Sequence, residues 1–190
     1  LIQSHKFSCR SVSLISKAAN IKTKEQLRES IKLLKKKVEV PLFVMIDQEG
    51  GRINRITKDF PIFPANSFYG ENKDKDGVRQ AYSRTARELK KLGINVNLAP
   101  VVDVLTNSSA TVIGDRSFGP DPELVAELSK IAVNAIKEEG VLACAKHFPG
   151  IGDIAEDPHN SLPFNHNSKE RFEKIDFLPF KAVISCEVDF

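Results

Sequence analysis

Short apolar runs alternate with helix-like segments along this chain, and that alternation restricts the folds it can adopt. The apolar runs span residues 12–15, 42–46, 94–98 and 141–145. The segments between them carry apolar residues at helical spacing. Parallel strands need a long crossover connection, so repeated strand-then-helix units indicate a parallel sheet. We therefore expect an α/β fold in which parallel strands alternate with helices.

The expected helices carry capping signals. Thr23 with Gln26 three positions later forms a capping box. Asp121 precedes a proline, which suits the first position of a helix. Gly93 follows the apolar pattern of residues 75–92 and is expected to end that helix.

The end of the chain has a different pattern. A further helical segment begins at Ser168, and Pro179 is expected to interrupt it. Residues 188–190 are expected to begin one more strand.

Three long polar segments follow the strands, at residues 47–74, 99–120 and 146–168. In a (β/α)8 barrel the loops after the strands build the active site, and such a barrel needs about 250 residues. This chain has 190 residues and holds about four to five of the eight units. We therefore predict that residues 1–190 form part of one incomplete TIM barrel. At least one strand is expected before residue 12, and two or three strands after residue 190.

Composition narrows the functional class. The formal net charge is only +3, and the tight basic run Lys35–Lys37 falls at a helix end, where cations favour the helix dipole. This gives no case for nucleic-acid binding. No apolar stretch is long enough to span a membrane. Phosphate-binding motifs of the GxGxxG and GxxxxGK[ST] types are absent after the strands, which weakens a nucleotide-binding interpretation.

Cysteine usage and the first residues bear on location. Cys9, Cys144 and Cys186 have no metal-type spacing and are expected to be free thiols in a reducing compartment. The first ten residues show no secretory signal pattern. A cytoplasmic location is therefore the expectation.

A carboxylate and two arginines follow the second apolar run. Asp47 comes directly after it, Gly50 and Gly51 let the backbone approach a ligand closely, and Arg52 and Arg55 supply forked donors. A carboxylate beside guanidinium groups suits a polyhydroxylated sugar, whose hydroxyls both donate and accept. The alternative is an Asp–Arg pair on a surface turn.

The third apolar run is followed by Asp103 and, farther on, by Asp115 and Arg116. Asp103 stands at a strand end, where it is either a ligand contact or a carboxylate that braces a loop. Arg116 taken alone is an ordinary surface arginine.

The fourth apolar run ends in Lys146 and His147. A lysine that emerges from a buried strand can bind a substrate, pair with a buried carboxylate or form a Schiff base, as in a lyase. Asp157 and His159 follow in the same polar segment, and a carboxylate can hold an imidazole in one tautomer for general acid/base catalysis. A metal hydrolase would use both histidines with Asp153 and Asp157, but their spacing fits no standard zinc pattern.

Taken in order, these segments resemble the signatures of the family 3 glycoside hydrolases, in the bacterial β-N-acetylhexosaminidase branch. The matching stretches are DQEGGRINR (47–55), DRSFG (115–119), KHFPGIGD (146–153) and DPH (157–159). The resemblance covers residues 12–190. It implies retaining removal of terminal β-N-acetylglucosamine from glycans such as peptidoglycan fragments, with no metal or cofactor.

The resemblance also implies residue roles. Sugar contacts are implied for Asp47, Arg55, Arg116, Lys146 and His147, with Arg52 behind them. His159 is implied as the acid/base, oriented by Asp157. The nucleophile of the family is an Asp on a late strand end, and it is expected beyond Phe190 because Asp189 comes too early.

Two positions depart from the family pattern. Ile151 replaces a histidine, which affects loop packing more than mechanism. Pro158 stands where a small residue is usual, and it pushes Asp157 toward an extended conformation that would hamper loop motion. The alternative to an active enzyme is a catalytically silent remnant that binds N-acetylglucosamine but lacks the nucleophile.

Overall fold

A computed structural model describes residues 23–156 and 164–190, and the backbone of residues 10–14. The strands are β1 (Arg10–Leu14), β2 (Leu42–Ile46), β3 (Gln48–Gly50), β4 (Ile53–Asn54), β5 (Val96–Asn97) and β6 (Leu142–Ala143). The helices are α1 (Lys24–Lys36), α2 (Asn66–Asn72), α3 (Lys75–Leu92), α4 (Pro122–Glu138), α5 (Lys169–Lys174) and α6 (Phe177–Ile184). A 3-10 turn spans Gly114–Arg116.

The main sheet has the strand order β1-β2-β5-β6, and all its pairs are parallel. Ile46 pairs with Asn97, which in turn pairs with Ala143. The pairing continues past β6, because Phe190 N–H donates to Ala143 O at 3.1 Å and Phe190 O accepts from Ala145 N–H at 2.9 Å. The predicted parallel α/β arrangement is therefore confirmed, and Phe190 hydrogen-bonds beside β6 although residues 188–190 do not form a named strand.

The helix signals act as the sequence predicts. Thr23 Oγ1 accepts from Gln26 N–H at 3.1 Å, and the Asp121 carboxylate accepts from Glu123 N–H at 3.0 Å. Gly93 ends α3 with φ +86°, a left-handed conformation that favours glycine. The apolar stripes of α1 and α3 pack with β2 in one core cluster, and α4 packs with α3 and α6 in another.

Two local predictions differ from the structure. The segment 47–74 contains a β3–β4 hairpin and helix α2 where only a loop was expected. The helical segment that begins at Ser168 is interrupted, but between Lys174 and Phe177 and not at Pro179, which lies in the first turn of α6, where its missing N–H has no intrahelical partner to lose. Strand β2 buries its Val44 side under α1 and α3, whereas Phe43 and Met45 on the other side are partly exposed.

The fold brings the polar segments together at one edge of the sheet. Parallel strands end at the same edge, so the residues that follow β2, β5 and β6 are neighbours. An isolated parallel bridge between Val101 and Lys146 extends this alignment beyond the named strands. None of the described helices is long and apolar enough to cross a membrane.

Candidate active site

Lys146 lies at the centre of a charged cluster at this sheet edge. Its Nζ is 2.6 Å from Asp47 Oδ1 and 2.6 Å from Glu49 Oε1. Asp47 is also 3.5 Å from Arg55 Nη2 through its other oxygen. Burial alone would raise the pKa of Asp47, but Lys146 and then Arg55 outweigh it and hold the pKa below its usual value. Asp47 is therefore an ionised acceptor between two cations.

Glu49 is the most buried carboxylate beside Lys146, with a side chain only 3% exposed. Arg116 approaches it with both arms of its guanidinium, Nε at 2.9 Å and Nη2 at 3.0 Å. Burial would raise the pKa of Glu49, but the hydrogen bonds from Arg116 and the charge of Lys146 lower it overall. Glu49 was not among the predicted site residues. Its position two residues after Asp47 could have suggested it, because alternate residues of an extended chain face the same side.

His147 connects Arg116 to a second buried carboxylate. Arg116 Nη2 is 3.2 Å from His147 Nε2, and His147 Nδ1 is 2.7 Å from Asp103 Oδ2. A guanidinium can only donate, so Nε2 must be the acceptor and the ring proton sits on Nδ1, facing Asp103. The two contacts therefore assign the Nδ1–H tautomer to His147.

Asp103 braces the loop that carries His147. Its side chain is fully buried, and its oxygens accept from His147 N–H at 3.0 Å and Ile151 N–H at 2.8 Å as well as from the imidazole. Of the two roles left open by the sequence, the geometry supports bracing and not a direct ligand contact.

Arg55 reaches the cluster from a loop that Gln48 supports. The Gln48 side-chain oxygen accepts from Arg55 N–H at 3.0 Å and Ile56 N–H at 3.1 Å. Gly50 makes the turn with φ +101°, where an added Cβ would lie 2.8 Å from Pro64 O. Among the described residues, Arg55 Nε is buried and has no hydrogen-bond acceptor, whereas the Nη2 of the same guanidinium lies 3.5 Å from Asp47 Oδ2.

Arg52 points away from this cluster. It donates to Asp115 Oδ1 at 2.8 Å and to the carbonyl oxygens of Thr111, Val112 and Ile113. It therefore fixes the loop that carries Arg116, in agreement with its expected place behind the sugar contacts.

The lyase interpretation is disfavoured by this geometry. A lysine that pairs two carboxylates at 2.6 Å is an ammonium, and an ammonium lacks the lone pair needed for a Schiff base.

Asp153 belongs to a separate network. Its carboxylate accepts from Thr106 Oγ1–H at 3.0 Å and Asn167 Nδ2–H at 2.7 Å, and it lies 3.4 Å from Arg171 Nη2. Asp157 and His159, the predicted catalytic pair, lie outside the described residues, in the segment 157–163 between Asp153 and Asn167. No group of three or more metal-ligating side chains is found in the part of the chain that the structure describes.

Comparison with known proteins gives concordant matches. The model of the glycosyl hydrolase family 3 N terminal domain matches residues 8–190. Beta-hexosaminidase A of Pseudoalteromonas piscicida is 40% identical over 154 residues, which cover 79% of this chain and 26% of that protein.

Two solved structures are similar throughout the chain. A family 3 beta-N-acetylglucosaminidase from Paenibacillus sp. str. FPU-7 superposes with a TM-score of 0.91 and 35% identity, covering 95% of this chain and 35% of that one. NagZ from Neisseria gonorrhoeae, in complex with N-trifluoroacetyl-D-glucosamine, gives a TM-score of 0.86 and 31% identity, with coverages of 94% and 53%. The chain thus spans between about a quarter and about half of the length of these three relatives.

Proposed function

The chain belongs to glycosyl hydrolase family 3, and we propose that it is the sugar-binding part of a TIM-barrel enzyme that removes terminal β-N-acetylglucosamine with retention of configuration. The observation that carries this proposal is the convergence of Asp47, Arg55, Arg116, Lys146 and His147 on one cluster. Relatives described as a beta-hexosaminidase and a beta-N-acetylglucosaminidase support it.

The cluster suits a pyranose ring. Asp47 is an ionised acceptor for sugar hydroxyls, and Lys146 and Arg116 are donors held in fixed directions by the carboxylates behind them. Arg55 adds a second cation beside Asp47, and its side chain is partly exposed. Such groups bind a polyhydroxylated ligand through alternating donors and acceptors, with little reorganisation on binding.

His159, oriented by Asp157, is the proposed acid/base. It would first protonate the glycosidic oxygen while a carboxylate attacks the anomeric carbon, and then deprotonate the water that hydrolyses the glycosyl-enzyme. The proposed nucleophile lies beyond Phe190. Asp189 does not join the cluster, because its carboxylate accepts from Ala143 N–H at 2.9 Å within the sheet. This mechanism uses no metal or cofactor.

The test is His159→Ala in the native gene product. Hydrolysis of a natural disaccharide should fall by about 100-fold or more, since general acid catalysis contributes about 10²–10⁴-fold. An aryl glycoside with a good leaving group needs less protonation and should lose much less in its glycosylation step. Equal losses on both substrates would contradict the acid assignment.

A sugar-binding protein without turnover is the second candidate. One observation favours this second candidate: the five proposed sugar contacts all lie among the described residues of this chain. The intact mass of the native gene product, with a hydrolysis assay, separates the two. A mass near 21.1 kDa with N-acetylglucosamine binding but no turnover would establish the second candidate. Cytoplasmic peptidoglycan fragments are the proposed substrate source for the enzyme.

A further inference from the structure

We propose that Asp153 and Asn167 are positioning residues for the proposed acid/base. Asn167 Nδ2–H donates to Asp153 Oδ2 at 2.7 Å, and Asp157 and His159 lie between these two residues in the sequence. This inference rests on the proposed function, because it gives the hydrogen bond a role in proton donation to the leaving group. It gives neither residue a contact with the sugar.

Asp153 is fixed to the loop that follows β5. Its carbonyl oxygen accepts from Asn107 Nδ2–H at 3.0 Å, and its Oδ1 accepts from Thr106 Oγ1–H at 3.0 Å. The preceding Gly152 O accepts from Asn107 N–H at 3.3 Å. An added Cβ at Gly152 would lie 2.0 Å from Val104 O, so the two stretches of chain pack backbone against backbone. Asp153 therefore has a fixed place in the fold.

Asn167 lies just before α5, and that helix is attached to the same loop. Arg171 of α5 donates from Nη2 to Thr106 Oγ1 at 2.6 Å and from Nη1 to the buried Asp176 carboxylate at 2.8 Å. Thr106 thus accepts from Arg171 and donates to Asp153 Oδ1. The other carboxylate oxygen of Asp153 accepts from Asn167. Each hydrogen bond of this network therefore has a defined direction.

The bond joins two residues that are 14 positions apart, so it ties the ends of the segment that carries His159. A general acid must lie about 2.6–3.2 Å from the atom that it protonates, and a displacement of about 1 Å can cost about 100-fold in rate. Tying the ends of a segment removes many of its conformations. The sugar cluster is held by other carboxylates, Glu49 and Asp103. Loss of the tie should therefore impair proton donation and spare sugar binding.

The experiment compares a poor and a good leaving group in the native gene product. The probes are N,N′-diacetylchitobiose and a dinitrophenyl β-N-acetylglucosaminide. The kcat/KM value reports the glycosylation step, in which the acid protonates the leaving oxygen. Asn167→Leu removes the donor with little change in size. Its kcat/KM should fall about tenfold or more on the disaccharide and less than about twofold on the aryl glycoside.

Exchange of the two side chains is the matched variant. Asn167→Asp alone places two carboxylates against each other and should act like Asn167→Leu. Adding Asp153→Asn restores the bond in the reverse direction, because the new amide oxygen still accepts from Thr106 while its nitrogen donates to the carboxylate at position 167. The double variant should recover disaccharide hydrolysis to within about threefold of the wild type.

Lys181→Met is the control, since it removes an exposed contact with Glu173 at 2.6 Å between α5 and α6. It should leave hydrolysis of both substrates unchanged. NMR titration should give the same dissociation constant for N-acetylglucosamine in every variant. A merely structural role would instead lower hydrolysis of both substrates alike or weaken sugar binding.

Equal losses on the two substrates in Asn167→Leu, or no recovery in the double variant, would overturn the inference. If His159→Ala shows the leaving-group dependence and Asn167→Leu does not, the inference fails alone. If the wild-type protein hydrolyses neither substrate, the proposed function and the inference fail together. Urea unfolding checks that each variant is folded, and Asn167→Ala takes the place of Asn167→Leu in the same comparison if the latter is not.

Discussion

Replacing Asp103 with asparagine tests the direction of the hydrogen bonds in the cluster. Asp103 is fully buried and accepts three N–H groups at 2.7–3.0 Å: the His147 backbone, the His147 ring and the Ile151 backbone. An asparagine side chain has one accepting oxygen, and its amide nitrogen only donates. In either orientation of the amide, at least one buried donor of the loop therefore faces another donor.

The expected cost follows from these contacts. If the amide oxygen faces His147, the Ile151 N–H loses its acceptor. If the amide is flipped, the imidazole must move its proton to Nε2, which then faces a donor of Arg116. An unsatisfied buried donor costs about 1–3 kcal/mol, and a hydrogen bond to a charged group contributes about 1.5–3 kcal/mol. We expect Asp103→Asn to lower the free energy of unfolding by about 3 kcal/mol.

Urea unfolding of Asp103→Asn measures this loss, and Asp115→Asn is the control. Asp115 pairs with Arg52, but both side chains are nearly half exposed, and such pairs contribute about 0.2–1 kcal/mol. NMR of the ¹⁵N-labelled imidazole should show His147 protonated on Nδ1 in the wild-type protein. A loss for Asp103→Asn no larger than that for Asp115→Asn, or a wild-type ring protonated on Nε2, would refute this reasoning.

Two further predictions concern acid and a second ion pair. The pKa values of Asp47 and Glu49 are lowered in the folded state, so these carboxylates stabilise the fold fully at pH values above their ordinary pKa values of 3.8 and 4.5. This stabilisation is lost as the pH falls below those values toward the lowered pKa values of the folded state. Urea unfolding between pH 6 and 3 should show the loss, and a Glu49→Gln variant should show a shallower one. Arg171→Met leaves the buried Asp176 carboxylate without its partner at 2.8 Å and should cost about 3 kcal/mol at neutral pH. Burial already raises the pKa of Asp176 despite Arg171, so the free energy of unfolding of the variant should decrease as the pH rises above 3.8. The control is Arg79→Met, which removes an exposed ion pair. A free energy of unfolding that does not change with pH, or a loss no larger than that of the control, would contradict this prediction.

Features that depend on local signals could be predicted from the sequence. The helix α3 begins and ends where its pattern and Gly93 place it, and Thr23 and Asp121 cap their helices. The parallel direction of the strands follows from their alternation with helices, and parallel strands end at one edge of the sheet. Because both residues follow parallel strands, Asp47 and Lys146 lie in contact at this edge although 99 residues separate them in the sequence.

Features that depend on distant partners could not be predicted in this way. Helix α2 has seven residues and no capping side chain, so little in its own sequence marks it. It is stabilised from outside, as Asn66 donates to Arg116 O at 2.8 Å and accepts from the Tyr82 hydroxyl at 2.9 Å. Glu49 is a partly similar case: its spacing from Asp47 indicates the side on which it lies, but its burial depends on the distant cations Arg116 and Lys146.

The direction of donation through the cluster also bears on where catalysis can occur. Arg116 donates to both Glu49 and His147, and His147 donates in turn to Asp103. Each of these hydrogen bonds therefore has a fixed direction. An N–H on His147 Nε2 would face a donor of Arg116 at 3.2 Å. The cluster is thus suited to bind a sugar without exchanging protons. The proposed hydrolysis therefore needs a separate proton donor, and this is the role that the proposal gives to His159.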